Sequence, residues 1–102
     1  MTSVPERFRG VWDYVEGSCN PASDLRVEIG ENAFGFYESQ GQVTDIRAEG
    51  ADAIVVTLAM GGEGETWTMK RRFTLDDGGR LIPSAVEGEE RFEPMPLKRC
   101  RK

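Results

Sequence analysis

The residues of this 102-residue chain best suited to acid–base chemistry are its 18 carboxylates, and they lack the usual partner. The sequence contains no histidine, which removes histidine-dependent triads, histidine-ligated zinc and the commonest general base near neutral pH. Glu38, between Tyr37 and Ser39, is the carboxylate best placed to be half of a catalytic pair. Spacing brings no second carboxylate to it, and the same three residues fit a strand end that enters a turn. We therefore predict no catalytic activity and no cofactor.

The two cysteines, Cys19 and Cys100, lie near opposite ends of the chain. A disulfide between them would close a loop of roughly 80 residues, which the loop-entropy model values at roughly 4–5 kcal/mol. Alternatively both are free thiols, with the Cys100 thiolate favoured by Arg99 and Arg101. Two cysteines cannot complete a four-cysteine zinc site, so no metal site is expected. Their even number and terminal placement favour the disulfide.

Charged and glycine-rich stretches limit the choice of partners. The net charge of −5 argues against nucleic acid, which needs a basic field. Residues 61–65 (Gly-Gly-Glu-Gly-Glu) lack the Lys-Ser/Thr of a phosphate-binding loop, and their carboxylates would repel phosphate. They fit a hairpin loop, or an acidic loop presented to a cationic partner or to calcium. The basic residues at 98–102 fit a solvated tail, or a contact with an acidic partner or with the acidic loops of the chain itself.

Short stretches of alternating apolar and polar residues, separated by turn-forming residues, predict strands throughout the chain. They cover 10–15, 25–29, 33–38, 42–47, 53–60, 66–75, 80–86 and 91–100. Within 53–60, alternation places Ile54, Val56, Leu58 and Met60 on one face. A slip of the period between Val43 and Ile46 suggests a β-bulge, and residues 39–41 suggest a tight turn. Spacing of roughly 8–12 residues with short links favours an eight-stranded antiparallel up-and-down barrel in one domain, 1–102. The longest apolar run, 53–60, is far shorter than the ~20 residues of a membrane span.

The barrel interior has enough bulky side chains to fill it. Trp12, Phe34, Phe36, Trp67, Met69 and Phe73 are expected to point inward. An eight-stranded barrel holds either its own side chains or one small ligand. The packed core is the favoured interpretation, with a pocket beside Trp12 and Trp67 as the alternative. Arg26, facing outward, is expected to form a cross-strand ion pair with Glu38 or Glu28.

Blocks along the chain carry a resemblance to known sequences. The blocks are Val4-Pro5-x-x-Phe8-Arg9-Gly10-Val11-Trp12 with Cys19, Ser23-Asp24-Leu25-Arg26-Val27-x-Ile29, Phe36-Tyr37-Glu38-Ser39-x-Gly41-x-Val43, Gly62-Glu63-Gly64-Glu65-Thr66-Trp67 and Arg99-Cys100. Together they are similar to a family of small bacterial proteins with no assigned activity. The resemblance covers nearly the whole chain and supports the barrel and the cysteine pair.

A shorter motif, Gly10-Val11-Trp12, resembles the first strand of lipocalin-like barrels, the calycins. In those barrels an arginine near the last strand packs over the tryptophan, and the resemblance implies this position for Arg99 or Arg91. The compact barrel with a disulfide is also similar in outline to small bacterial inhibitors of proteases and lysozymes.

These patterns lead to a functional prediction. We expect a non-catalytic binding or interaction module, such as an envelope protein or an inhibitor, that acts through loops such as 38–42 and 61–65. The alternative is a carrier of a small apolar ligand, and a carboxylate-based enzyme comes third. The candidate binding residues are Trp12, Arg26, Phe36, Tyr37, Glu38 and Trp67. A Cys19–Cys100 bridge predicts a periplasmic or secreted protein, and free thiols predict a cytoplasmic one. The partner is an unknown protein or a small apolar ligand, and no pattern indicates an oligomeric state.

Overall fold

The computed structural model describes residues 3–20, 26–36, 38–86 and 95–100, which form a closed antiparallel β-barrel. A 3₁₀ turn (Glu6–Phe8) precedes the strands β1 (Gly10–Tyr14), β2 (Val27–Ile29), β3 (Ala33–Phe36), β4 (Ser39–Glu49), β5 (Ala53–Gly62), β6 (Glu65–Leu75), β7 (Leu81–Ala85) and β8 (Leu97–Arg99). Each strand pairs with the next along the chain, and β8 pairs with β1 to close the barrel. The predicted eight-stranded, up-and-down barrel is confirmed.

Alternation along the strands decides which side chains fill the barrel, because successive residues of a strand point to opposite faces. On β5 the predicted inward set, Ile54, Val56, Leu58 and Met60, is buried. The core is made of Val4, Phe8, Trp12, Val27, Ile29, Phe34, Ile46, Ile54, Val56, Leu58, Met60, Phe73, Leu81 and Leu97. Burial of each large apolar side chain contributes roughly 1.5–3 kcal/mol. The interior is therefore occupied by the protein's own side chains.

One predicted turn is misplaced, one is shorter than predicted, and one predicted irregularity is confirmed. The register of β4 against β5 shifts between Val43 and Asp45, where the bulge was expected. Residues 39–41 do not form a turn, because β4 begins at Ser39 and Phe36 pairs with Ser39. The hairpin predicted at 61–65 is present, but only its two central residues form the turn, since Gly62 pairs with Glu65. The predicted strand positions 25, 37 and 91–94 lie outside the described residues.

One end of the barrel is closed by the segment that precedes β1, and we call it the plugged end. Val4 and Phe8 are completely buried there, although neither belongs to a strand. The Val4 backbone N–H donates to the Glu31 carbonyl at 2.7 Å, and Arg7 Nη2 donates to the Ala51 carbonyl at 2.5 Å. These bonds hold the segment against the β2–β3 and β4–β5 turns.

The opposite end carries the β3–β4 and β5–β6 turns, and we call it the hairpin end. Register places Trp67 opposite Met60 on the inward face, as predicted. Trp67 is nevertheless 40% exposed, so the expectation that it fills the core is wrong. The reason is that β6 pairs with β7 only from Arg71 onward in the described part of the chain, and Trp67 lies beyond that pairing.

Candidate functional site

The turns of the hairpin end are made by glutamates in a backbone conformation that favours glycine. Glu38, in the β3–β4 turn, has φ 61°, and Glu63, in the β5–β6 turn, has φ 52°. Glu63 and Gly64 both have positive φ, as a type I′ hairpin turn requires. A left-handed conformation costs a non-glycine residue on the order of 1–3 kcal/mol. Both glutamate side chains are exposed, so the turns present negative charge at this end.

Gly62 lets the two turns lie directly against each other. A Cβ atom at position 62 would stand 2.6 Å from the Glu38 carbonyl oxygen and 3.0 Å from the Ser39 Cβ. No side chain fits so close to a backbone oxygen. The end of β5 and the β3–β4 turn therefore form one continuous surface, although they are more than twenty positions apart in the sequence.

Two adjoining open depressions, of about 630 and 700 Å³, lie on this surface. One is lined by Gln40, Gly41, Gln42, Ala59, Met60, Gly61, Thr66, Trp67 and Thr68. The other is lined by Phe36, Glu38, Ser39, Gln40, Gly61, Gly62, Gly64, Glu65 and Thr66. Because Gln40, Gly61 and Thr66 belong to both, we treat the two depressions as a single groove, the hairpin groove. Its volume is in the range of ligand sites, but it is open to solvent along its length.

The chemistry of the hairpin groove combines an aromatic face with negative charge. The exposed part of Trp67 and the half-buried Phe36 supply apolar surface. The charged side chains that line the groove are the carboxylates of Glu38 and Glu65, with Glu63 at the adjoining turn. A partner that fits this surface has apolar groups for the aromatic rings and positive charge for the carboxylates.

The structure brings together three of the six predicted binding residues. Phe36, Glu38 and Trp67 line the hairpin groove. Tyr37 lies outside the described residues. Trp12 is completely buried on β1, away from the groove lining.

Arg26 also lies elsewhere, and one detail of its predicted pairing is corrected. Its Nη2 stands 3.5 Å from Glu28 Oε2. Glu28 is two positions further along the same segment, so the pair is not cross-strand. The Glu28 side chain is 62% exposed, and such an exposed pair is worth only about 0–1 kcal/mol.

Trp12 belongs to a second cluster, at the seam where β8 closes against β1. The Arg99 guanidinium carbon lies 4.3 Å from the centre of the Trp12 ring. Arg99 Nη1 donates to the Arg9 carbonyl at 2.6 Å, and Nη2 donates to the Arg7 carbonyl at 2.7 Å. Of the two arginines proposed for this position, Arg99 occupies it, and Arg91 lies outside the described residues. Gly10 makes room for the contact, since a Cβ there would lie 2.8 Å from Arg99 Nη1.

The predicted Cys19–Cys100 disulfide is present at the same seam, with the Cα atoms 5.9 Å apart. It joins the loop that follows β1 to the residue that follows β8. The Cys100 backbone N–H also donates to the Val11 carbonyl at 2.7 Å. The bridge therefore covalently links the segments that follow the first and the last strand of the barrel.

Asp13 organises the loop that carries Cys19, a role that was not predicted from the sequence. It lies on β1 between Trp12 and Tyr14 and is completely buried, although alternation turns it away from the core. Its carboxylate accepts hydrogen bonds from the backbone N–H groups of Tyr14 (2.8 Å) and Cys19 (3.0 Å). A buried carboxylate is tolerated only when it is hydrogen-bonded in this way.

Sequence reasoning also missed the groove residues that belong to strands. On β6, Thr66 and Thr68 face outward and alternate with the inward-facing Trp67. Polar residues at outward positions are the ordinary pattern of an exposed sheet face, so they do not indicate a site. The only signal in the sequence was the position of Trp67 beside a turn, because a tryptophan near a strand end is easily left uncovered. Asp13 had a comparable signal, a carboxylate inside an apolar run that leads into the Gly17-Ser18 loop.

Within the described ranges, no three His, Cys, Asp or Glu side chains are grouped so as to hold a metal ion. No helix in the same ranges is long and apolar enough to cross a membrane.

The fold and the groove define a small antiparallel β-barrel with an open surface at one end. Comparisons with protein-family models, with curated proteins and with solved structures found no match to this chain. The resemblance to small bacterial barrel proteins and to calycins therefore stays a prediction.

Proposed function

We propose that this protein is a non-catalytic binding module whose contact surface is the hairpin groove. One observation carries the proposal: the predicted contact segments 38–42 and 61–65 both line the hairpin groove, beside the exposed Trp67. Partly exposed tryptophans are the residues that most often dominate the binding energy of protein interfaces.

The partner that we propose is a protein with a basic contact surface. The carboxylates of Glu38 and Glu65 line the groove, and the chain as a whole has a net charge of −5. Complementary charge would speed association and reject acidic partners. The disulfide supports a periplasmic or secreted location for this interaction, because such bonds persist in oxidising compartments.

The packed interior weighs against the alternative of an apolar-ligand carrier. A carrier needs space beside Trp12, whose ring is covered on one face by Arg99 and whose indole Nε1 donates to the Phe8 carbonyl at 3.1 Å. Phe34 packs against Phe73 with ring centres 5.3 Å apart, and both are buried. Side chains of the chain itself thus occupy the volume that a ligand would require.

Site-directed photocrosslinking in an extract tests the location of the contact surface. A photoreactive residue at Thr68, in the groove, is compared with one at Arg47, which is exposed near the plugged end of β4. We expect a protein that crosslinks at position 68 and not at position 47. Equal crosslinking at both positions, or crosslinking at position 47 alone, would contradict the proposal.

Affinity for the purified crosslinked protein then tests the roles of the individual side chains. We expect Trp67→Ala to weaken binding at least tenfold, since interface tryptophans commonly contribute more than about 1–2 kcal/mol. Glu65→Gln should reduce the association rate and its dependence on salt. Arg47→Gln is the matched control and should bind as the wild type does. Unchanged binding by both groove variants would exclude this surface.

A further inference from the structure

Among the described residues, the strand that closes the barrel is also the most weakly paired. β8 contains only Leu97–Arg99. Within the described residues, it pairs with β7 only at Leu81 and Leu97. Its pairing with β1 extends from Trp12 opposite Arg99 to Tyr14 opposite Leu97. Strands β4, β5 and β6, by contrast, are 10–11 residues long and paired along most of their length.

Side-chain and covalent contacts hold β8 where its backbone pairing is short. Leu97 is 5% exposed, and Arg99 binds the backbone carbonyls of Arg7 and Arg9. The disulfide follows immediately, at Cys100. Without the disulfide, the chain beyond Arg99 is held to β1 by the Cys100 N–H bond to Val11.

The other half of the disulfide is held in an unfavourable conformation. Cys19 has φ 64°, a left-handed value that a residue with a Cβ seldom adopts. Its backbone N–H is bound to the buried Asp13 carboxylate, and Gly17 packs closely against the same carboxylate. The loop at 15–20 is thus folded back over β1 and joined to the chain beyond β8. Breaking the bond removes the covalent constraint on Cys19 and Cys100 together.

We infer that the Cys19–Cys100 disulfide is a redox latch on the barrel seam. While the bond is intact, β8 closes the barrel. When it is reduced, β8 and the 15–20 loop separate from β1, and β3–β6 stay folded because their pairing does not involve the seam. Departure of Arg99 then uncovers the Trp12 ring and frees the carbonyls of Arg7 and Arg9.

The chemistry requires a dithiol reductant and two electrons. One thiolate of the reductant attacks a sulfur of the bridge and forms a mixed disulfide, and the other cysteine leaves as a thiolate that takes up a proton. The second thiol of the reductant resolves the mixed disulfide, so the reductant ends as a disulfide and both cysteines as thiols. Both cysteines are only half-buried, which gives a small dithiol access.

Hydrogen exchange of the oxidised protein and of the protein reduced with dithiothreitol tests the latch. On reduction, we expect the exchange protection factor of the Cys100 amide to fall at least tenfold. The protection factors of the β5 amides should change by less than about twofold. Unchanged protection at Cys100 would overturn the proposal, because β8 would not depend on the bond. A parallel loss at Cys100 and in β5 would overturn it as well, because the bond would then only stabilise the fold as a whole.

Variants separate the bond from the arginine contact. The double variant Cys19→Ser/Cys100→Ser should show the exchange pattern of the reduced protein without any reductant. Arg99→Gln keeps the bond and should retain most of the protection of the Cys100 amide. Trp12 fluorescence, followed in a Trp67→Phe background, should change on reduction when the bond is present and stay constant in the double variant. A reduction-dependent change in the double variant would also contradict the latch.

Discussion

At the scale of single residues, Arg72 and Glu49 form an ion pair on the outer face of the barrel. Arg72 Nε lies 2.6 Å from Glu49 Oε1, and Nη2 lies 3.4 Å from Oε2. The hydrogen bond from Arg72, aided by the charges of Arg72 and Arg47, holds the pKa of the Glu49 carboxyl below its ordinary value. Val55, between Arg47 and Arg72 in the register, is only 3% exposed although it faces outward. The aliphatic stems of the two arginines account for that burial.

The pair predicts a pH-dependent contribution to stability. The pKa of Glu49 is lower in the folded state than in the unfolded state. At pH values between these two pKa values the unfolded state therefore binds more protons. The stability of the fold consequently decreases as the pH is lowered through this range to the folded-state pKa. We expect Glu49→Gln to lower the urea midpoint near neutral pH, and the difference from wild type to shrink as the pH is lowered below the ordinary pKa of a glutamate. The effect is small, since the carboxylate is 44% exposed.

The control for this measurement is Asp45→Asn, which removes an exposed carboxylate lying 4.0 Å from Arg47 Nε. Its longer distance predicts a smaller difference from wild type at neutral pH. A Glu49→Gln difference that stays constant from neutral to acidic pH would show that the ion pair does not produce it.

At the scale of elements, the hairpin groove depends on turn geometry more than on the strands that the turns join. The β5–β6 hairpin is continued to its tip by a two-residue turn in which Glu63 takes a position that suits asparagine or glycine. The turn geometry does not favour a glutamate at this position, because asparagine or glycine would make the turn more stable. The side chain is exposed at the edge of the groove, where its charge adds to that of Glu65.

Replacement of this residue separates turn stability from charge. We expect Glu63→Asn to raise the free energy of unfolding by about 0.5–1 kcal/mol, because asparagine tolerates positive φ and Asn-Gly favours the type I′ turn. Urea denaturation with the disulfide intact measures the difference. Glu65→Gln removes a similar exposed charge on β6 next to the turn and should change stability by less than about 0.5 kcal/mol. A stability gain of equal size in both variants would attribute the effect to charge alone.

At the scale of the whole molecule, the barrel is closed in two different ways. The plugged end is sealed by apolar side chains that precede the first strand, with Phe8 completely buried. The seam is sealed by Arg99 and the disulfide, which link residues separated by about ninety and eighty positions along the chain. The N-terminal segment contributes to both, since Arg7 and Arg9 supply the carbonyls that Arg99 binds.

This arrangement predicts that a side chain outside all the strands supports the entire fold. We expect Phe8→Ala to reduce the free energy of unfolding by about 3–5 kcal/mol, since it leaves a cavity at the plugged end. Chemical denaturation of the oxidised protein measures the loss. Trp67→Ala, which truncates a larger but 40% exposed ring, should cost clearly less. An equal cost in the two variants would mean that the plugged end is not part of the core.

Much of the fold could be predicted because its signals are local. Alternation on β5 gave the inward set from Ile54 to Met60, and the slip of that alternation located the bulge near Val43. The turns were placed less accurately. Residues 39–41 contain turn-forming types but pair as a strand, because the turn is made one position earlier, at Glu38, in a left-handed conformation that composition does not indicate.

The candidate site, like the fold, was predicted only in part from the sequence. The residue types at 36, 38, 61–65 and 67 marked possible contacts, but their assembly into one groove depends on Gly62 packing against the β3–β4 turn. Trp12 and Arg26 were also candidates and lie elsewhere, which only the register between strands could show.

The sequence by itself determined the number and direction of the strands and most of the apolar residues of the core, because periodicity and residue type act along the chain. It favoured a Cys19–Cys100 disulfide over two free thiols, and the structure contains the disulfide. The tertiary structure alone decided which arginine covers Trp12, why Asp13 is buried and why Trp67 remains exposed. Each of these depends on where distant strands end against one another. Closure of a barrel fixes those ends through pairings between residues far apart in the chain, and no local pattern encodes them.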